Sequence, residues 1–276
     1  MTPDEYTAQQ AAISAVVANY VLSLGRLFLG PRLSLTDWIG FLEVLFPEIY
    51  QRRLEAAEIA RRFYDREREI HGRPPHPRYL VEYDFKEFVA DMEPTRDKMS
   101  REQAPEAALG EVALRAVRNV EMAGRKQILR AVENDPEPKT VRGWARVATG
   151  RETCAWCLML ISRGPVYLDA RSAGFDVSNE QAAEILAAGE DVSEYMREWH
   201  TGCDCKVVPV YDKKNWPGYD EWKRAEQLWI DAGREASRLI ESGKARTRNM
   251  NKETQNALRR RLERGDVSMT EFAVAA

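Results

Sequence analysis

All four cysteines of this 276-residue chain fall between positions 154 and 205, in two tight groups. The first is Cys154-Ala155-Trp156-Cys157. The second is His200-Thr201-Gly202-Cys203-Asp204-Cys205, which contains one of only three histidines. No other feature limits the fold so strongly. A two-residue spacer lets one turn of chain aim both sulfurs of Cys154 and Cys157 at a single ion, and His200 and Cys203 repeat that spacing. Zinc takes four tetrahedral ligands from thiolate and imidazole. Five donors stand here for four places: Cys154, Cys157, His200, Cys203 and Cys205. Cys154, Cys157 and His200 with one of Cys203 and Cys205 make a complete set, and so do the four cysteines alone. Four protein ligands leave no open position, so the expected zinc is structural rather than catalytic. Free thiols beside a hydrogen-bonded His200 are the plain alternative. A disulfide or redox pair is a further one, although no leading strand and long following helix frame Cys154 and Cys157 in the thioredoxin manner.

The compartment bears on that choice. Met1-Thr2-Pro3-Asp4-Glu5 is acidic and lacks the basic start of a signal peptide. No apolar run approaches the roughly 18–20 residues that span a bilayer, and the stretch from Val21 to Leu29 is interrupted by Arg26. The expectation is a protein of a reducing cytosol that meets no membrane, where clustered cysteines are more often ligands than disulfides. Lys plus Arg total 41 against 44 Asp plus Glu, a formal net charge of -3, so overall charge does not call for nucleic acid.

Hydrophobic periodicity makes the first half helical. Thr2-Pro3-Asp4-Glu5 is a capping box with proline in the first turn. Ile13, Val16, Val17, Tyr20, Val21 and Leu24 then recur at helical steps. A second helix restarts at Ser34 and Thr36-Asp37, and Pro47 is expected to kink or divide it. It ends at His71-Gly72-Arg73-Pro74-Pro75. A shorter helix covers Phe85 to Met92, broken at Pro94, and a longer one runs from Pro105 to about Asn134. Beyond it, Gly164-Pro165-Val166-Tyr167-Leu168 reads as a turn and short strand. Ser178-Asn179-Glu180-Gln181 caps a helix, and another covers Val192 to Trp199. Lys206 to Tyr211 reads as a strand, with Pro209 favouring an edge. Asn215-Trp216-Pro217-Gly218 turns into a final helix, with Trp216, Trp222 and Trp229 as core anchors. The fold class is mainly α: a helical N-terminal bundle over 1–138, a small α+β zinc-containing module over 139–215, a C-terminal helix over 216–243 and a basic tail over 244–276.

The two cysteine groups are where a family likeness enters. Cys154/Cys157 and His200/Cys203/Cys205 resemble the C-terminal module of the Mu F-like phage head morphogenesis (minor capsid) family. Val141 to Cys157 and Ser162-Arg163-Gly164-Pro165-Val166-Tyr167 resemble its actinobacteriophage branch. Thr201-Gly202 departs from the commoner pattern, in which a proline follows the histidine. The resemblance implies a zinc role for those five positions and a part in procapsid assembly near the portal. The partners it implies are portal protein, scaffold and major capsid protein, and the location is the host cytoplasm and then the virion. It also implies an alternative, since proteins of that branch are often described as capsid maturation proteases.

The residues themselves give little support to a catalyst. His71 and His76 flank a Pro-rich turn, and His200 is better used as a ligand. No Gly-x-Ser-x-Gly elbow or His-Glu-x-x-His helix occurs, and a Ser-Lys pair remains open. Arg142, Arg146, Arg151, Arg163 and Arg171 surround the cysteines, as phosphate contacts or as a solvated, salt-bridged face. The basic tail, Lys244 to Arg264, is a possible DNA contact or a docking arm.

Overall fold

The computed structural model describes residues 1–28, 33–75, 82–100, 106–137, 140–149, 153–165, 199, 202, 203 and 205–268. Two compact units divide the chain. One comprises Met1–Ala131 with Trp199–Gly202, the other Val132–Glu198 with Cys203–Ala276.

The first unit is helical. α1 (Pro3–Gly25) closes in a 3₁₀ turn, Arg26–Phe28, and is followed by α2 (Leu35–Ile70), α3 (Phe85–Met99) and α4 (Glu106–Glu133). Capping boxes start three of them: Thr2 with Glu5, Ser34 with Asp37, and Asp84 with Glu87. Each satisfies backbone donors that a helix start leaves unpaired. Contrary to expectation, α2 is not divided at Pro47, and α3 runs through Pro94. Proline removes one hydrogen bond from a helix interior. Around Pro47 that loss is outweighed by packing, since Phe41, Leu42, Leu45 and Ile49 are all fully buried.

α1 corrects a second expectation. With its 3₁₀ turn it is long and apolar enough to cross a membrane by length and composition. No charged residue lies between Glu5 and Arg26, and small residues separate the larger apolar ones. The helix nevertheless serves as a core element. Tyr6, Ile13, Val17 and Val21 are buried, and α1 packs on α2. Tyr6 stacks on Phe63 with ring centroids 4.6 Å apart.

Polar groups stitch this bundle together from inside. The Gln10 amide donates to the Ala56 carbonyl at 2.8 Å, and the Ser14 hydroxyl donates to Glu121 Oε1 at 3.0 Å. Glu121 in turn pairs with Arg125 at 2.9 Å, one turn along α4, and their side chains are 5% and 1% exposed. Arg53 donates to the carbonyl and side-chain oxygens of Asn119 at 2.5 and 2.9 Å and lies over the Tyr83 ring. Buried charges persist only when paired and hydrogen-bonded, so these contacts hold α1, α2 and α4 in one register.

The second unit is built on a two-stranded antiparallel sheet. β1 (Gly143–Val147) pairs with β2 (Lys206–Val210) in the register Gly143 to Val210 through Val147 to Lys206. Every residue of both strands is buried. β2 confirms the strand expected there. Between the strands in sequence lies α5 (Ala155–Ser162), where Ala155 and Cys157 to Ser162 are buried. A helix apolar on all sides belongs in a core, and α5 packs against β1, α6 (Tyr219–Glu241) and α7 (Met250–Glu263). α7 lies in the segment expected as a basic tail. Ala257 and Leu258 are buried there, and Arg260 and Arg261 pair with Glu235 of α6 at 2.8 and 3.2 Å. The strand expected at Val166 to Leu168, the helix starting at Ser178 and the helix over Val192 to Trp199 fall outside the described residues, apart from Trp199.

α5 ends in a tight joint. The Trp222 indole donates to the Ser162 carbonyl at 3.1 Å. Gly164 follows with φ +59°, and a Cβ at that position would stand 2.4 Å from the Trp222 ring. Gly164→Ala combines a left-handed backbone with overpacking and is expected to cost about 3 kcal/mol. Urea denaturation of the full chain, with Gly243→Ala as control, measures it. Gly243 has φ +69° but open space around it, so it carries the backbone penalty alone.

Candidate metal centre

α5 and β2 each deliver one pair of sulfurs. Cys154 is the N-cap of α5, in extended backbone, and Cys157 is its third helical residue. These are the positions whose side chains meet in a capping box. The two-residue spacer therefore works here because it straddles a helix start, and the sulfurs lie 3.7 Å apart. Cys203 and Cys205 immediately precede β2. Their sulfurs are 3.1 Å apart. The β1–β2 ladder anchors that segment, and Cys157 Sγ meets Cys203 Sγ at 3.3 Å across 46 residues of sequence.

The result is a triangle of buried sulfurs. Cys157, Cys203 and Cys205 all lie within 4.8 Å of one another, and their exposures are 0%, 3% and 0%. Cys154 is part-exposed at the edge of the group, next to Cys157. None of the four is in a disulfide. Separations of 3.1–3.7 Å exceed the roughly 2.05 Å of a disulfide. Four sulfurs at about 2.3 Å from one zinc stand about 3.8 Å apart at tetrahedral angles; the Cys154–Cys157 separation of 3.7 Å matches this, and the other two contacts, at 3.3 and 3.1 Å, are shorter.

Electrostatics favours a cation at this point. The neighbouring thiols of Cys154, Cys203 and Cys205, followed by burial, push the Cys157 thiol far above its ordinary range. Packed thiols resist ionising together because each thiolate opposes the next. A divalent ion inverts that balance and deprotonates its ligands outright. The N-terminus of α5 also carries a partial positive charge that favours thiolate at Cys154 and Cys157. The buried sulfurs of Cys157, Cys203 and Cys205 thus suit a thiophilic divalent metal. His200, the fifth candidate, lies outside the described residues.

The other residues singled out in the sequence have separate fates. His71 is the exposed C-cap of α2, and His76 lies outside the described residues. Arg142 and Arg163 are exposed, whereas Arg151 and Arg171 lie outside the described residues. Trp216 is buried, and Trp222 and Trp229 are half-buried. Arg146 was grouped with the surface arginines, yet it is 1% exposed and donates from Nη1 to Cys205 Sγ at 3.9 Å. The signal was its setting among Trp144, Ala145, Val147 and Ala148, too apolar for a solvated face.

The sequence profile described as VG15 protein matches residues 2–230 of the chain, which takes in all four cysteines. The chain belongs to the VG15 protein family. Two VG15-type relatives are phage proteins. The "Gene 15 protein" of Mycobacterium phage D29 is 52% identical over 274 residues, covering 96% of this chain and all of the relative. The "Gene 15 protein" of Mycobacterium phage L5 is 50% identical over 294 residues, covering both chains fully. These names attach the family to phages and state no activity. No solved structure matches the chain.

Proposed function

We propose that this chain is a phage head morphogenesis (minor capsid) protein that acts in procapsid assembly near the portal, with a structural zinc ion in its second unit. The observation that carries the reading is the convergence of Cys154 and Cys157 with Cys203 and Cys205. Those positions bear the Mu F-like resemblance, and Cys157, Cys203 and Cys205 lie within 4.8 Å of one another with Cys154 3.7 Å from Cys157. Membership of a phage protein family agrees with it.

In this reading the four cysteines are the ligands, and Cys154 supplies the corner beside the buried triangle. Bound there, zinc fastens the start of α5 to the start of β2. The role is mechanical: it keeps an assembly surface in one shape and supplies no catalyst. Portal protein, scaffold and major capsid protein are the proposed partners. The host cytoplasm and then the virion are the proposed locations. DNA contact through residues 244–276 is a weaker part of the proposal, because Arg260 and Arg261 are already engaged by Glu235.

Particles made by a phage lacking this gene test the assignment. The expected result is a failure of head assembly, and mass spectrometry of wild-type procapsids is expected to find the chain together with portal protein. DNA-filled heads at normal yield without the chain would contradict it. The same spectra address proteolysis, since scaffold or capsid protein trimmed only when the chain is present would favour a maturation protease.

A further inference from the structure

We propose that Arg146 is the residue that holds Cys205 as a metal-bound thiolate, so that Cys205 is a true ligand and not the spare donor of the five. This rests on the structural-metal reading above and adds a positioning residue to it.

The strand register places the pair. Arg146 on β1 stands directly opposite Val207 on β2, and directly opposed residues of an antiparallel pair project to the same face. Cys205 precedes Val207 by two residues, so it shares that face. The Arg146 side chain runs along it and donates from Nη1 to Cys205 Sγ at 3.9 Å. Both residues are buried, at 1% and 0% exposure. Arg163, the arginine just after α5, is exposed, which sets Arg146 apart.

The chemistry follows from the state of the sulfur. A neutral thiol is a weak acceptor. A thiolate on a divalent ion keeps negative charge on sulfur, and a charge-assisted N–H···S contact is strong. Four thiolates around a divalent cation leave two surplus negative charges, and the Arg146 guanidinium cancels one of them. The contact orients Cys205 toward the ion. Groups just beyond a metal's ligands typically change affinity by about 10–100-fold.

The test uses the full-length chain and measures zinc affinity by competition with a chromophoric chelator. The sulfur-to-cobalt charge-transfer band of the cobalt-loaded protein is a second readout. Arg146→Met is expected to weaken zinc binding by about 10–100-fold and to dim the cobalt band. In a background already carrying Cys205→Ser it is expected to add little, because the sulfur it acts on is gone. Wild-type affinity and an unchanged cobalt band in Arg146→Met would overturn the proposal. Should that variant fail to fold, Arg146→Lys carries the test. Lysine keeps the buried charge but not the planar donor fork, so a partial loss is expected, and full wild-type affinity would overturn the role. A wild-type chain that takes up neither zinc nor cobalt would instead sink the metal reading itself, which keeps the two failures distinct.

Discussion

Replacing Cys157 by serine is expected to strip the bound metal from the full-length chain and loosen the second unit, while α1 to α3 remain folded. Cys157 is the sulfur that touches both Cys154 and Cys203 and is fully buried. Without it the proposed ion keeps only the part-exposed Cys154 as its link to the start of α5. The β1–β2 ladder is only five residues long and has no third strand among the described residues, and two strands alone are marginal in water. Hydrogen exchange should therefore accelerate most in peptides covering Gly143–Val147 and Lys206–Val210. A structural zinc contributes about 10–16 kcal/mol in domains with almost no other core. Here the loss should be smaller and local, because α5 also packs on α6 and α7. Unchanged exchange in both strands would show that the sulfurs hold nothing together. Chelator added to the wild type should reproduce the variant's exchange pattern.

The second large effect lies in the first unit. Glu121→Ala is expected to destabilise it by about 3–5 kcal/mol, the usual consequence of removing one partner of a buried ion pair. The change withdraws the carboxylate from Arg125 and the acceptor from the Ser14 hydroxyl. The double variant Glu121→Leu/Arg125→Met, which removes both charges and keeps volume, should recover most of the loss. An exposed pair provides the contrast. Glu226→Ala breaks the Lys223 contact on the surface of α6 and should leave the urea midpoint unchanged, since surface pairs contribute little. A Glu121→Ala midpoint equal to wild type would mean that the pair does not organise the bundle.

Much of this architecture was legible in the sequence, for reasons that differ by element. α1, α2 and α4 follow from apolar residues at helical spacing, and the Thr2/Glu5 box marks the first start at residue level. Pro47 and Pro94 misled because local propensity is weaker than the packing of the residues around them. β1 was hidden because all five of its residues are buried. A strand with both faces covered loses the alternation by which a half-exposed strand is recognised. The basic sequence of α7 concealed a short buried stripe, with Ala257 and Leu258 inside and Arg260 and Arg261 paired to α6.

The candidate site divides in the same way. Spacing singled out the cysteines as candidate donors, and the fold brings three of them, Cys157, Cys203 and Cys205, within 4.8 Å of one another. Spacing could not rank His200 against the cysteines, since His200 to Cys203 repeats the interval of Cys154 to Cys157. Arg146 was invisible for another reason. Its contact with Cys205 depends on the register of two strands separated by 58 residues, and register is a property of the folded sheet.

The most direct measurement is metal content together with zinc K-edge absorption on the full-length chain purified without chelator. The account expects one zinc per chain, with four sulfur neighbours at about 2.3 Å. A fully folded chain that contains no metal, and takes up none when zinc is supplied, would contradict it.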